Sequence, residues 1–316
     1  MTPSRTEANW IRPAAVAGMF YPADPQVLKR DLEGYLAGAG EQAGPAGRDG
    51  TGIGGGMGSP EGSPEGSGNP NATPAERGSP AGHRGTQPLE PVNTKALILP
   101  HAGYTYSGPV AASGYERLLS LRGIVARVVV VGPAHHATVD GIAASSASAF
   151  ATPLGRVPMD TEYRDKCLSV PGVLLSDAAH APEHSVEVHL PFIQLVLGDV
   201  TVLPLVAGYG AERVVARVLD ELWGGPETVI IVSSDLSHYH EYAAAAALDR
   251  ITALSILDLE PGGVGYRSAC GAGAVRGLLA TASSHGLHAR LLDLRNSGDT
   301  AGGKEQVVGY GAFAFA

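Results

Sequence analysis

The chain has 316 residues, of which 44% are apolar, and its formal net charge of -9 is spread along the sequence without a basic patch. This length suits one large α/β domain or two small ones, and the acidic balance argues against binding to nucleic acid or to an anionic membrane surface. No apolar run reaches the roughly 20 residues of a membrane-spanning helix, and the N-terminal pattern is unlike a signal peptide, so we expect a cytoplasmic protein.

The first predicted element is a helix that begins at Pro25 and ends near Ala37. Asp24 is suited to the N-cap, and proline is favoured at the first helical position. Residues 38–87 are then dominated by Gly, Pro, Ser and Ala. This composition buries too little apolar surface to offset the entropy lost on ordering. We therefore predict a disordered insert that interrupts a single domain spanning residues 1–316.

After the insert, strands and helices alternate. The predicted strands are 96–99, 127–131, 200–206, 228–232, 287–293 and 307–315, and the predicted helices are 108–120, 160–168, one that begins near 185, 211–223, 242–258 and 271–285. Several of the strands are continuously apolar and rich in β-branched residues, which is typical of parallel sheets covered on both faces. The alternation predicts an α/β fold, a three-layer α/β/α sandwich with a mostly parallel or mixed central sheet.

Three of these strands stop within a few residues of a histidine. The polar residues that follow them are, in chain order, His101, the pair His135 and His136, and Asp235 with His238. In open α/β sheets, the functional crevice lies at the carboxyl ends of the strands. We therefore expect these side chains to share one site, which holds a metal ion or performs acid/base chemistry.

Asp235 and His238 are three residues apart, a spacing that places both side chains on one face of a helical turn. A carboxylate beside an imidazole raises the basicity of the ring and fixes its tautomer. The alternative is an N-cap aspartate beside a surface histidine. A nucleophilic triad through Ser233 or Ser234 is disfavoured because the chain has no G-x-S-x-G motif.

Glu183 and His184 precede a predicted helix whose cap is Ser185. Both can reach the crevice as catalytic groups, or the segment can serve helix capping alone. Cys270 opens a glycine-rich helix start, where free amides and the helix dipole lower the pKa of a thiol, as suits a ligand or a nucleophile. The second cysteine, Cys167, is predicted to be an ordinary helix residue, and the two predict no disulfide.

Six segments, in this order, carry a family resemblance. They are RPAAVAGMFYP (12–22), PHAGYTYSG (100–108), GPAHH (132–136), EHSVE (183–187), SSDLSH (233–238) and ACG (269–271). Together they resemble the motifs of the Memo family, whose prokaryotic members are also called protein B of the AmmeMemoRadiSam system. The resemblance covers the chain outside residues 38–87, and it implies a fold similar to that of class III extradiol (LigB-type) non-haem iron dioxygenases.

The resemblance also implies roles for the residues gathered above. By it, His101, His135 and Cys270 occupy the metal-binding positions, while His238 resembles the acid/base histidine of the dioxygenases, with Asp235 beside it. The dioxygenases complete their iron site with a carboxylate, where this chain, like the Memo family, has a cysteine. Thiolate is a softer ligand, which shifts the preference towards zinc or copper(I), or towards iron with altered redox behaviour.

The leading hypothesis is therefore a metal-dependent redox protein, with iron as the first choice and copper as the second, acting on a small molecule that the sequence does not identify. One alternative is a non-catalytic module that binds a peptide or a radical-SAM partner protein in the same crevice. Another is a zinc hydrolase, since catalytic zinc accepts two histidines and one cysteine.

Overall fold

The structure, a computed structural model, describes residues 10–42 and 94–316. The strands are β1 (Ile11–Arg12), β2 (Ala96–Leu99), β3 (Arg127–Pro133), β4 (Ile142–Ala144), β5 (Ala149–Thr152), β6 (Gly155–Pro158), β7 (Val173–Leu175), β8 (Thr201–Ala207), β9 (Thr228–Ser233), β10 (His238–His240), β11 (Ala289–Asn296) and β12 (Val307–Phe315). The α-helices are α1 (Pro25–Gln42), α2 (Tyr104–Tyr115), α3 (Thr161–Leu168), α4 (Asp177–His180), α5 (Leu190–Leu197), α6 (Glu212–Glu221), α7 (Tyr242–Leu257), α8 (Ala272–Ser284) and α9 (Ser297–Thr300). Short 3-10 helices lie at Glu116–Leu121, Glu187–His189 and Pro261–Gly263.

Four parallel strands form the centre of the main sheet, in the order β2, β9, β3 and β8. Beyond β2 the sheet continues antiparallel through β12, which also pairs with β10 and β11. Beyond β8 it continues through β4, which is antiparallel to β8, and then β7. A small separate sheet contains β1, β5 and β6.

Helices cover both faces of the main sheet and bury its central strands. Every residue of β2 and β9 is buried, as the continuous apolar runs predicted. Helix α2 packs against β2 and β12, while α8 packs against β3 and β9. The predicted three-layer α/β/α sandwich with a mixed sheet is confirmed. Within residues 10–42 and 94–316, none of the helices combines the length and hydrophobicity needed to cross a membrane.

The first helix extends beyond its predicted end. Asp24 accepts hydrogen bonds from the backbone of the first turn, as expected of its N-cap. However, α1 continues past Ala37 to Gln42, because its buried face, which includes Leu28 and Leu32, runs on to Ala39. Residues 38–42 are thus helical, and the rest of the predicted insert lies outside the described residues.

Two other helix starts differ from the prediction. Helix α2 begins at Tyr104, before the predicted position 108, and continues through Pro109. The helix expected near Ser185 starts instead with the 3-10 turn Glu187–His189, followed by α5. Ser185 does not cap it, because its hydroxyl donates to the carbonyl of Pro133 at the end of β3.

A buried ion pair ties the N-terminal segment to the turn before α5. The Arg12 guanidinium donates to the Glu187 carboxylate, and both side chains are fully buried. Glu187 also accepts hydrogen bonds from the backbone of Ala15 and Val16 and, at 2.5 Å, from the Tyr21 hydroxyl. Glu187 opens the 3-10 turn before α5, and its carboxylate anchors residues 12–21.

Replacing Glu187 by glutamine should lower the free energy of unfolding by about 3–5 kcal/mol, because the buried charge of Arg12 loses its counter-ion. The control is Glu33→Gln, which breaks an exposed ion pair with Lys29 (3.8 Å) and should cost no more than about 0.5 kcal/mol. Urea denaturation of both variants measures the difference. Equal unfolding midpoints for the two would contradict this account of Glu187.

Candidate metal centre

Three adjacent strands bring the predicted site residues to one edge of the sheet. Each strand is followed, two residues beyond its end, by one of them: β2 by His101, β9 by Asp235 and β3 by His135. These strands are parallel, and Leu99 and Ser233 pair in register at the ends of β2 and β9. The side chains therefore meet at the carboxyl ends of the strands, where α/β sheets place their functional crevices.

Three histidines form a cluster at this edge. Ligand atoms of His101, His135 and His184 all lie within 4.8 Å of one another, which makes this the one such group found among the described residues. The His135 and His184 rings are stacked, with centroids 4.6 Å apart, and His101 meets both rings edge-on. The sequence predicted His184 as a catalytic group, but the geometry places it among the possible metal ligands.

The tautomer of His101 follows from its hydrogen bonds. Nδ1 of His101 lies 2.6 Å from the Ser233 hydroxyl, whose own proton is donated to the Ser185 carbonyl. The hydroxyl can therefore only accept from Nδ1–H, and this leaves the lone pair of the ring on Nε2. A metal-ligating histidine is normally oriented in this way by a partner on its other nitrogen.

His135 is oriented in the same way by a buried carboxylate. Nδ1 of His135 lies 2.9 Å from Glu183, which also accepts from the backbone of His135, His184 and Ser185. Burial alone would raise the pKa of Glu183, but the hydrogen bonds from the His135 ring and from these backbone groups lower it to about 2. The ionised carboxylate accepts from Nδ1–H, so Nε2 of His135 is also free to bind a metal.

Two imidazoles of the cluster, those of His101 and His184, are held neutral. Burial, followed by the nearby charge of His135, lowers the pKa of His184 to about 4. Burial also places the pKa of His101 well below its ordinary value. The ring of His184 rests against Phe20, at 4.5 Å between centroids. Neutral imidazole is the form that binds metal ions, so near pH 7 no proton has to leave these rings before an ion binds.

Cys270 lies beside the cluster but outside the histidine trio. Its Sγ is 3.4 Å from Nε2 of His101, close to the roughly 3.5 Å that separates nitrogen and sulfur on one tetrahedral zinc ion. The backbone N–H of Asp235 donates to this sulfur at 3.3 Å. Burial, followed by the charge of Asp235, raises the pKa of the thiol to about 12. The lowered pKa predicted for Cys270 is therefore wrong, because desolvation outweighs the helix start.

Asp235 and His238 are not on a helical turn. The chain leaves β9 in an irregular segment and forms β10, which pairs with β12, so the helical spacing argument was wrong. Oδ1 of Asp235 accepts from the backbone of His101 at 2.7 Å, while Nδ1 of His238 lies 2.8 Å from the carbonyl of Leu236. The tautomer of His238 is thus set by a backbone carbonyl, and its Nε2 is left as a proton acceptor.

Two residues near the cluster were not assigned these roles from sequence. Ser233 was considered only as a nucleophile, although a serine that ends an apolar strand signals a polar contact there. Phe20 lies in the first family motif, and its position against His184 depends on the fold of residues 12–21 around Glu187. The other cysteine, Cys167, is buried in α3, as expected of an ordinary helix residue.

Replacing Ser233 by alanine should weaken Zn²⁺ binding about 10- to 100-fold, because His101 loses the partner that fixes its tautomer. The matched control is Ser145→Ala, since Ser145 is equally buried but donates to Asp177, away from the cluster. Competition with a chromophoric chelator at pH 7 measures the affinity. If both serine variants bind zinc equally well, the hydroxyl of Ser233 does not orient the ligand.

Comparison with known proteins identifies the family. A solved structure of an uncharacterized protein from Escherichia coli K12 aligns with 69% of this chain and 99% of its own, with a TM-score of 0.45 and 14% identity. A MEMO1 family protein of Ignicoccus hospitalis is 33% identical over 322 residues, which cover 96% of this chain and 98% of the relative. A MEMO1 family protein of Aquifex aeolicus is 34% identical over 249 residues, which cover 72% of this chain and 87% of the relative. The family model described as Memo-like protein matches residues 81–314, and this chain therefore belongs to the Memo family, as its motifs predicted.

Proposed function

We propose that this protein binds one transition-metal ion at the histidine cluster and uses it for redox chemistry on a small molecule. The observation that carries the proposal is the pair of Nε2 atoms on His101 and His135, since in each ring the opposite nitrogen is engaged by a polar partner. Both partners, Ser233 and Glu183, are fully buried, so the ring orientations are fixed before any ion arrives. Preorganised imidazole nitrogens of this kind suit zinc, copper and iron.

The third ligand is Cys270 or His184. The family resemblance favours Cys270, whose sulfur lies at a ligand-like distance from His101, whereas the spacing of the rings favours His184. We assign Cys270 as the ligand and His184 as a neighbour that closes the site, because a thiolate supplies the negative charge that a buried cation requires. The preference for iron over copper rests on the resemblance to the extradiol dioxygenases.

The chain's own residues would handle the protons. With Nδ1 bonded to the Leu236 carbonyl, His238 has Nε2 available to accept a proton from a substrate. Asp235 holds the backbone of His101 and is therefore a positioning residue. The ion, when bound, supplies redox chemistry and open coordination positions. His135 keeps 28% of its side chain exposed, which gives a substrate access to this side of the cluster.

The test is elemental analysis of protein purified anaerobically without a histidine tag. We expect near-stoichiometric iron or copper in the wild type, loss of that metal in His101→Ala and Cys270→Ser, and retention in His184→Ala, because His184 is not a ligand in this assignment. The control is His136→Ala, which removes the exposed histidine next to His135. Circular dichroism confirms that each variant is folded.

Each other outcome points to a different function. Zinc alone in the wild type would favour a hydrolase and contradict the redox proposal. Loss of metal in His184→Ala with retention in Cys270→Ser would replace our third ligand by the histidine. A wild-type protein that takes up none of these metals, even when they are supplied, would leave a peptide-binding or protein-binding crevice as the better account.

A further inference from the structure

A narrow cleft opens beside Cys270, next to the metal centre. Its volume is about 100 Å³. Small residues line it, among them Ala134 just after β3, Gly208 after β8, and Gly273 in the first turn of α8. Cys270 also lines the cleft, and none of the lining residues carries a charged side chain. The cleft therefore offers an uncharged surface beside Cys270 and suits an uncharged group.

Two stacked tyrosines also line this cleft. The rings of Tyr209 and Tyr266 have centroids 4.1 Å apart and planes inclined by 30°. Tyr266 is fixed, since its hydroxyl accepts from the backbone of Gly210 and donates to the carboxylate of Glu212. Tyr209 rests on this fixed ring and is 83% exposed, the highest value for a large apolar side chain in the described ranges. An aromatic ring stacked on a fixed one is thus presented beside the cleft, with most of its surface exposed.

We propose that this cleft, which we call the tyrosine slot (Tyr209, Tyr266, Ala134, Gly208 and Gly273), receives the planar ring of a neutral aromatic substrate. Aromatic rings pair best with other rings in offset-stacked or edge-to-face arrangements, and Tyr209 offers such a partner without further ordering. The volume is below the roughly 150 Å³ of an apolar cavity that encloses benzene, so a ring would enter partly and remain in contact with Tyr209.

Two glycines keep space open in and around the slot. A Cβ atom on Gly273 would lie 3.2 Å from the hydroxyl of Tyr266, and one on Gly208 would overlap the carbonyl of Val139. Side chains at these two positions would fill or distort the slot. Binding of an aromatic ring to the slot does not depend on the proposed function. Only the further statement, that this ring is part of the molecule on which the metal acts, rests on it.

The experiment compares two probes of equal size and different shape, 4-methylphenol and 4-methylcyclohexanol, by NMR titration of the full chain. We expect the planar phenol to bind roughly three- to tenfold more tightly than the puckered alcohol, which is the range for an aromatic pair. Tyr209→Ala should remove this preference, while Tyr209→Phe should keep it within a factor of about two, because the ring carries the contact.

Two further variants separate this inference from the metal proposal. Tyr239→Ala removes another highly exposed tyrosine, which does not line the slot, and should leave the preference unchanged. His101→Ala should lose metal and still prefer the planar probe. If the preference disappears in folded His101→Ala, the phenol binds through the metal and the slot assignment is wrong. No binding of 4-methylphenol, equal binding of both probes, or an unchanged preference in Tyr209→Ala would also overturn it.

Discussion

Two fully buried carboxylates, Glu183 and Glu187, hold together the N-terminal segment and the candidate metal centre. A buried charge costs several kcal/mol unless it is paired and hydrogen-bonded, so each carboxylate must be saturated for the fold to be stable. Glu187 satisfies this with Arg12, Tyr21 and two backbone N–H groups, and Glu183 with the His135 ring and three backbone N–H groups. Because Glu183 and Glu187 belong to one short segment, residues 183–187, this segment fixes both the N-terminal residues and the candidate metal centre.

This arrangement makes the metal centre depend on residues far from it in sequence. Glu187 positions the backbone of residues 15–16, and the same N-terminal segment carries Phe20 against the ring of His184. Glu183 fixes the ring of His135, which stacks on the ring of His184. The imidazoles are therefore oriented by a network in which every polar partner is itself bonded. Such networks rigidify a site when they are complete.

The parts of the fold that could be predicted from sequence are those set by local pattern. Buried parallel strands are continuously apolar, so β2, β3 and β9 could be identified together with the histidines that follow them. Because these strands lie close together in the sheet, His101 and His135 could also be expected to meet at one edge. The short strands β4 to β7 have too few residues for a periodicity. The pairing of Arg12 with Glu187 joins positions 175 residues apart, and no local pattern contains it.

Two local rules gave wrong results because the tertiary environment outweighed them. A spacing of three places Asp235 and His238 on one face only if the backbone is helical, and here β12 draws the chain into a strand. A helix start lowers the pKa of a thiol, but the half-buried Cys270 thiol is desolvated by its neighbours and lies close to Asp235, and both effects raise the pKa.

The surroundings of Asp235 also support the proposal that Cys270, and not this carboxylate, is a metal ligand. Asp235 is at the end of β9, between the strands that carry the two histidines, but its Oδ1 is engaged by the backbone N–H of His101. The sulfur of Cys270 instead lies at ligand distance from His101. In the ligand set that we propose, a Cys270 thiolate and the Asp235 carboxylate would together supply two negative charges to a divalent ion. A buried cation needs such a balance, so Asp235 would contribute charge and position while Cys270 would make the bond.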